Sequence, residues 1–303
     1  MTDCGGGSES CCTSLEVMEG TYSRKYTNSG GGATGTADPA TVSNFRLDKY
    51  EVTVGRFRQF VAAYNDGTWI NAVIPGSGKH THLNGGQGLA NSGSAGTYEP
   101  GWVASDDSNV SPTTVHLQCD SNYATTWTAS AGSNEELPIN CESWWESYAF
   151  CIWDGGFLPS ESEWEYAAAG GSQEREYPWG SAAPGTACPG AGCSYAIQGC
   201  VYPPGSGGCT GVTNIAPVGT ATQGVGLYGQ LDLVGNVWEW NLDLYATYVS
   251  PCTDCAYLTA APSRVIRGGF FGSGPSDLLP PNRGAILPAL RSYSIGFRCA
   301  RTP

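Results

Sequence analysis

Apolar and polar residues alternate from Leu15 and Val17 to Tyr22 and Tyr26, which predicts a strand at the entrance to the folded part of the chain. Phe45, Leu47 and Tyr50 mark another strand, after a Gly/Ala/Thr run from Asn28 to Thr36 that reads as a loop. The period then changes. Val54, Phe57, Phe60, Val61 and Tyr64 recur at helical spacing behind Thr53, a residue that caps helices, and the run stops near Asn65-Asp-Gly67. Ser143 and Glu146 form a capping-box pattern ahead of Trp145, Tyr148, Ala149 and Ile152, with Gly155-Gly156 as the stop. Ser160 and Glu163 repeat it for a helix carrying Trp164, Ala167 and Ala168, stopped by Gly170-Gly171. Residues 74–115 lack a sustained period and read as surface excursions. Residues 178–212 read as a turn-rich, cysteine-rich insertion held by disulfides.

Composition narrows the picture. With 43 Gly, 19 Pro and 14% charged residues, the 303-residue chain has many turns and few long solvated helices. Ten Trp and 16 Tyr can fill a core built from loops. We read a flexible tether over residues 1–13 and a single α+β, irregular and disulfide-stapled domain over 14–303. The net charge of −13 repels phosphate backbones and anionic membrane surfaces, so nucleic acid is excluded as a partner. No apolar stretch is long enough for a transmembrane helix.

Thirteen cysteines without repeated zinc-ligand spacing argue for disulfides in an oxidising, extracytoplasmic compartment. Proximity suggests Cys119 with Cys141, Cys188 with Cys193, Cys200 with Cys209 and Cys252 with Cys255, although spacing alone leaves connectivity open. Cys252-Thr-Asp-Cys255 lacks a thioredoxin-like setting and reads as a tight structural disulfide. Cys4, Cys11 and Cys12 form an odd trio. Cys4-Gly-Gly-Gly-Ser8 resembles the acylated cysteine and tether of a bacterial lipoprotein, although Asp3 departs from the small residue expected there, so Cys4 is a candidate lipid anchor. His80 and His82 would share one face of a strand as metal ligands, but no third ligand stands near and solvent-exposed loop histidines are the expected reading.

The stretch from Asp232 to Trp240, Asp-Leu-Val-Gly-Asn-Val-Trp-Glu-Trp, combines two carboxylates with a glycine that lets carbonyls such as those of Gly235 and Val237 turn towards one point. Hard cations such as calcium take such oxygens. The alternative is a core turn in which Trp238 and Trp240 pack.

This stretch resembles the LxGNVWEW motif of the formylglycine-generating enzyme (sulfatase-modifying factor) family. Phe45–Thr53, Leu158–Ala167, Arg264–Gly269 and Ile295–Arg301 resemble that family's other motifs in the same order. The resemblance implies a loop-rich fold related to C-type lectins, a structural calcium held by Asp232, Gly235, Val237 and Glu239, and a disulfide between Cys151 and Cys299. It also implies a second, upstream calcium site, weakened here because Thr210 stands where an aspartate ligand is expected.

Family enzymes oxidise a substrate cysteine with dioxygen, using two cysteines that bind copper(I) after the Arg-Gly-Gly motif. Counting from Arg267-Gly-Gly, those positions read Ser273 and Leu278, neither of which suits copper(I). Phe270 replaces the usual serine, and Ser294 stands where a substrate-contacting asparagine is expected; Trp238 is retained. The iron motif of the related sulfoxide synthases needs spacing that three histidines here do not supply. The expectation is a non-catalytic binding module with structural calcium and no copper. Its ligand would be a protein or glycan met by Phe271, Asp277, Asn282, Arg283, Arg291 and Tyr293. Two other classes stay open: a metal- and oxygen-dependent oxidoreductase with non-standard ligands, drawn from the histidines or Cys252 and Cys255, and purely structural service on a cell surface.

Overall fold

The computed structural model describes residue 4 and residues 9–119, 123–185 and 195–303. Strands β1 (Ser14–Val17), β2 (Gly20–Thr27), β3 (Thr34–Val42) and β4 (Phe45–Asp48) lead into helix α1 (Val54–Asn65). The alternating stretch that predicted one strand is two, broken at Met18 and Glu19, because β1 pairs with β4 while β2 pairs with β3. The expected loop from Asn28 to Thr36 ends early, since Thr34 already pairs with Thr27. Thr53 caps α1 by accepting from the Arg56 N–H at 3.2 Å.

The short strand β5 (Ala90–Asn91) and the single turn α2 (Thr114–Leu117) precede helices α3 (Trp144–Trp153) and α4 (Glu161–Ala168). Both capping boxes form: the Ser143 and Ser160 N–H groups donate to Glu146 and Glu163 at 2.9 and 2.8 Å. β6 (Trp238–Leu244), β7 (Cys252–Thr253), β8 (Cys255–Ala256), β9 (Arg264–Arg267), β10 (Arg283–Ile286), β11 (Ile295–Gly296) and β12 (Ala300–Arg301) complete the fold. The four sheets run β1-β4-β12, β10-β9-β6-β11, β2-β3-β7 and β5-β8. β6 is the hinge of the topology, antiparallel to β9 and parallel to β11.

Aromatic rings fill the space between these small elements. Phe57 of α1, Phe150 of α3 and Phe297 interlock with ring centroids 5.5 and 5.4 Å apart for the pairs Phe57–Phe150 and Phe150–Phe297. The Cys151–Cys299 disulfide crosses the same core and ties α3 to the segment entering β12. A second cluster packs Val17, Phe45 and Leu47 against Trp164 and Leu233.

The disulfides Cys119–Cys141, Cys200–Cys209 and Cys252–Cys255 form, whereas Cys188 and Cys193 lie outside the described residues. The odd trio resolves into a Cys4–Cys11 bridge and an exposed Cys12 thiol. This corrects the tether reading. Glu9 accepts from Lys49 at 2.6 Å and from the Tyr50 hydroxyl at 2.9 Å, and Cys11 is buried, so residues 9–13 dock beside β4. The Cys4 sulfur is committed to a disulfide and does not serve as a lipid attachment point. Among the described residues, no helix is long and apolar enough to cross a membrane.

Residues 74–115 correct a second expectation, for Trp102, His80 and Glu99 are buried. Gly88 and Gly101, at φ 87° and 71°, make left-handed turns that bring this irregular backbone inward. His80 is no exposed loop histidine: its Nδ1 meets Glu99 and its Nε2 meets Glu163, each at 3.0 Å. Burial alone would lower its pKa, but Glu163 and Glu99 outweigh that and raise it to about 10. The Glu163 oxygen that closes the α4 capping box is the one that holds His80, so one carboxylate joins helix start and excursion. Only the tertiary fold brings that oxygen and His80 together.

His80 gains its proton partners on folding, so its contribution is fully present below the unfolded pKa of about 6.5 and is lost as pH rises towards the folded value. His80→Gln is expected to cost about 3–5 kcal/mol near pH 6. In urea titrations the gap to wild type should shrink between pH 6.5 and about 10; a gap independent of pH would mean that His80 is not held protonated.

Candidate functional site

The turn before β6 is wound by three left-handed residues, Asp232, Gly235 and Asn236, at φ 53°, 86° and 59°. Gly235 is required there because a Cβ would strike the Ile197 carbonyl. The turn is fastened on both sides: Gly235 N–H donates to the Gly268 carbonyl at 2.9 Å and Asn236 N–H to that of Ile197 at 2.8 Å. The Asn236 amide reaches Glu51 at 2.7 Å, and Glu51 also accepts from the Val237 N–H at 3.2 Å.

Three buried carboxylates, Glu51, Asp232 and Glu239, thus surround one guanidinium. Arg298 grips Glu239 through Nε and Nη2 at 2.7–3.0 Å and donates from Nη2 to the Asp232 carbonyl at 2.7 Å. Trp164 Nε1 supplies a further bond to Glu239 at 2.8 Å. Burial pushes the Asp232 carboxyl up to about 6 and raises Glu51 well above its ordinary value, with Asp232 and Glu239 adding repulsion at Glu51. Asp232 and Glu239 therefore meet in one cluster. Yet among the described residues no three His, Cys, Asp or Glu side chains converge on a metal-sized point. Within the turn the Asp232 carbonyl accepts from Arg298 and the Asn236 carbonyl from the Phe271 N–H, so a hard cation would have to draw on the remaining carbonyls. At the upstream position, Thr210 donates from N and Oγ1 to Asn214 Oδ1 at 2.7 and 3.2 Å.

The second focus lies just past β9. Gly268 and Gly269 have φ 96° and 74°, so the chain doubles back. A Cβ placed on Gly269 would sit 3.0 Å from Leu278 Cδ2 and 3.2 Å from Ser273 Oγ. The two positions expected for copper-binding cysteines both border Gly269, and what they bring there is a hydroxyl and an isobutyl group. Ser273 Oγ accepts from the Phe270 N–H at 3.2 Å, and Leu278 is packed in the core. Neither offers the soft donor that copper(I) takes, so these residues do not fit that metal.

Most of the expected binding surface is committed to the fold. Phe271 is only 1% exposed and packs on Ile197, Ile215 and Ala216, held inward by its N–H bond to the Asn236 carbonyl. Arg283 clasps Glu161 at 2.6–2.7 Å with its guanidinium over Tyr245 and Tyr248. Arg291 clasps Glu146 at 2.6 and 2.7 Å and also donates to the Cys141 carbonyl. Asn282 donates to the carbonyl of Asp277, and both are half-buried. Of that group Tyr293 contributes to an aromatic rim, edge-on to Tyr123 at 5.0 Å; Phe270 and Tyr202 pack on the same Phe271 cluster. Phe271 was expected at the surface and is buried, while Phe270 is the half-buried ring; an adjacent aromatic doublet signals one ring in and one out, without saying which.

Cys252 and Cys255 are buried in their disulfide and His80 is enclosed by carboxylates, so neither offers ligands to an alternative redox metal as the chain stands.

A profile described as sulfatase-modifying factor enzyme 1-like domain matches residues 7–303. The formylglycine-generating enzyme of Mus musculus is 27% identical over 282 residues, which cover 86% of this chain and 66% of that protein. The inactive C-alpha-formylglycine-generating enzyme 2 of Mus musculus is 33% identical over 170 residues, 54% of this chain and 49% of that protein. This chain thus spans about half to two thirds of the length of these relatives. Among solved structures, PvdO from Pseudomonas aeruginosa superposes with a TM-score of 0.59 at 19% identity, covering 96% of this chain and 94% of that one, which speaks for the fold.

Because Glu146 is buried and also closes a capping box, removing its partner should act on stability. Arg291→Ala is expected to cost about 3 kcal/mol in chemical denaturation. A loss below about 0.5 kcal/mol, as for an ordinary surface substitution, would return Arg291 to the recognition surface.

Proposed function

The chain belongs to the sulfatase-modifying factor enzyme 1-like domain family, and we propose that it serves there as a non-catalytic, extracytoplasmic binding module, stapled by disulfides and stabilised by calcium. The observation that carries this reading is that Ser273 and Leu278 border Gly269 at the positions where a thiolate pair would be needed. A relative at 33% identity that is itself named inactive supports it. The bridges from Cys4–Cys11 to Cys252–Cys255 support an oxidising compartment. Calcium is supported by the wound turn at Asp232, Gly235 and Val237 and by three buried carboxylates against the single Arg298. The partner, a protein or glycan, would be met by the aromatic rim of Tyr123, Tyr202, Phe270 and Tyr293, since half-buried rings bring large contact area at low entropy cost.

Two experiments test this reading. Wild-type protein incubated with copper(I) and a cysteine-containing peptide should consume no dioxygen, whereas the Ser273→Cys, Leu278→Cys double variant should gain one tight copper(I) site in chelator competition. Turnover by wild type would replace the binding module with an oxidase using unfamiliar ligands. For calcium, a chelator should lower the melting temperature by roughly 4 °C from a state held near 100 Kd. Asp232→Asn should abolish the chelator's effect, and is a cleaner variant than Glu239→Ala, which would also strand Arg298. No shift with chelator removes calcium from the proposal.

A further inference from the structure

A cavity of about 280 Å³ opens at the far end of β6, away from both foci described above. Its apolar wall comes from Leu242 and Leu244 of β6 and from Leu258, and its aromatic wall from Trp144 and Tyr148 of α3. Three charged groups line it, Arg264 at the start of β9 and Asp106 and Glu99 in the 74–115 excursion.

Arg264 shares an unbonded buried Nε with Arg56 and Arg267, but among the described residues it lacks the ion pairs that those two make. Its guanidinium lies over the Trp144 ring at 3.5 Å, and Nη1 donates to the Leu242 carbonyl at 2.6 Å. The other edge carries no hydrogen bond: Nε is buried without a partner. Among the described residues no carboxylate lies within ion-pairing distance of it, although Asp106 and Asp243 are close enough to act on it electrostatically. Burial accordingly lowers its pKa to about 10. The Asp106 carboxyl is raised by burial, and its own bond goes to Trp145. Glu99, the other acid on the wall, is spent on His80.

A cation and an anion on one low-dielectric wall, in electrostatic reach but not in contact, are costly as they stand. A molecule carrying the complementary charges between them would recover that energy. We infer that this cavity is a binding site for a free α-amino acid with an apolar side chain, its carboxylate on Arg264, its ammonium on Asp106 and its side chain against Leu242, Leu258 and Trp144. The size agrees, since about 280 Å³ falls just short of the roughly 300–1,000 Å³ of sites for drug-sized ligands. Arg264 suits the carboxylate because a planar fork can bind both its oxygens. This site stands apart from the aromatic rim, so either can fail alone.

Titration calorimetry of the intact chain with L-leucine and L-phenylalanine tests it. Leucine or phenylalanine should bind saturably, and the analogues lacking one charge, leucinamide and 4-methylpentanoate, should bind at least about tenfold more weakly. Asp106→Asn should erase the preference for leucine over 4-methylpentanoate, and Arg264→Gln the preference over leucinamide. Leu258→Trp, which fills the cavity without touching either charge, should abolish binding while the melting temperature is kept, and decides the matter if Arg264→Gln does not fold. Absence of saturation by both amino acids at about 10 mM, or equal binding of the charge-deleted analogues, overturns the assignment.

Discussion

The fold hangs on Arg298. Its Nε and Nη2 hold Glu239 of β6, Nη2 also holds the Asp232 carbonyl, and Nη1 reaches the carbonyls of Asp48 and Lys49 at 3.2 Å. One side chain just before β12 thereby fixes the end of β4, the wound turn and the central strand of another sheet. A guanidinium can do this because it presents five donors in a rigid plane, and it tolerates burial because every one of them finds an oxygen. Trp164 of α4 completes the Glu239 carboxylate, so the second capped helix is drawn to the same point. Short strands and abundant glycine give little cooperative backbone structure of their own. A buried polar hub compensates for that.

What could be read from the sequence was local chemistry. The Thr53, Ser143 and Ser160 caps need only residues three positions apart, and each formed as expected. Proximity-based disulfides also came out where both cysteines are described, because short loops leave few alternatives. The Cys151–Cys299 bridge is different, for it spans 148 residues and was reachable only through resemblance. Residues 74–115 were illegible because their anchors are tertiary: His80 finds Glu163 some 83 residues away, and no period announces it. The same holds for Phe271, whose inward turn depends on the Asn236 carbonyl.

The candidate site was legible in part for the same reason. Ser273 and Leu278 could be placed by counting from Arg267, since the segment between is ungapped and its glycines dictate the reversal. The expected binding surface failed because it was drawn by residue type. Arginine is favoured at interfaces, but it is equally the residue of choice for buried carboxylates. Arg283 and Arg291 were claimed by Glu161 and Glu146 at the starts of α4 and α3, where no sequence spacing reveals the pairing.

That claim has a consequence for how an acidic protein of this shape can recognise anything. Glu146, Glu161 and Glu165 on α3 and α4 and Glu239 on β6 are interior acids paired with Arg267, Arg283, Arg291 and Arg298. Fourteen basic residues against 27 acidic ones leave few cations for the outside once these pairs are made. Over the Phe271 cluster the partly buried side chains are mainly rings: Tyr123, Tyr202, Phe270 and Tyr293. Arg24 and Arg264 both depart from the pairing with carboxylates, Arg24 on two carbonyls and the Tyr248 ring, and Arg264 beside a cavity. Arg264 is held by aromatic stacking and one carbonyl, with no carboxylate of its own, at the mouth of an apolar cavity. Where Arg56, Arg267 and Arg298 meet carboxylates of the fold, Arg264 has only a carbonyl and a ring beside a cavity, and there a ligand's carboxylate would supply the partner.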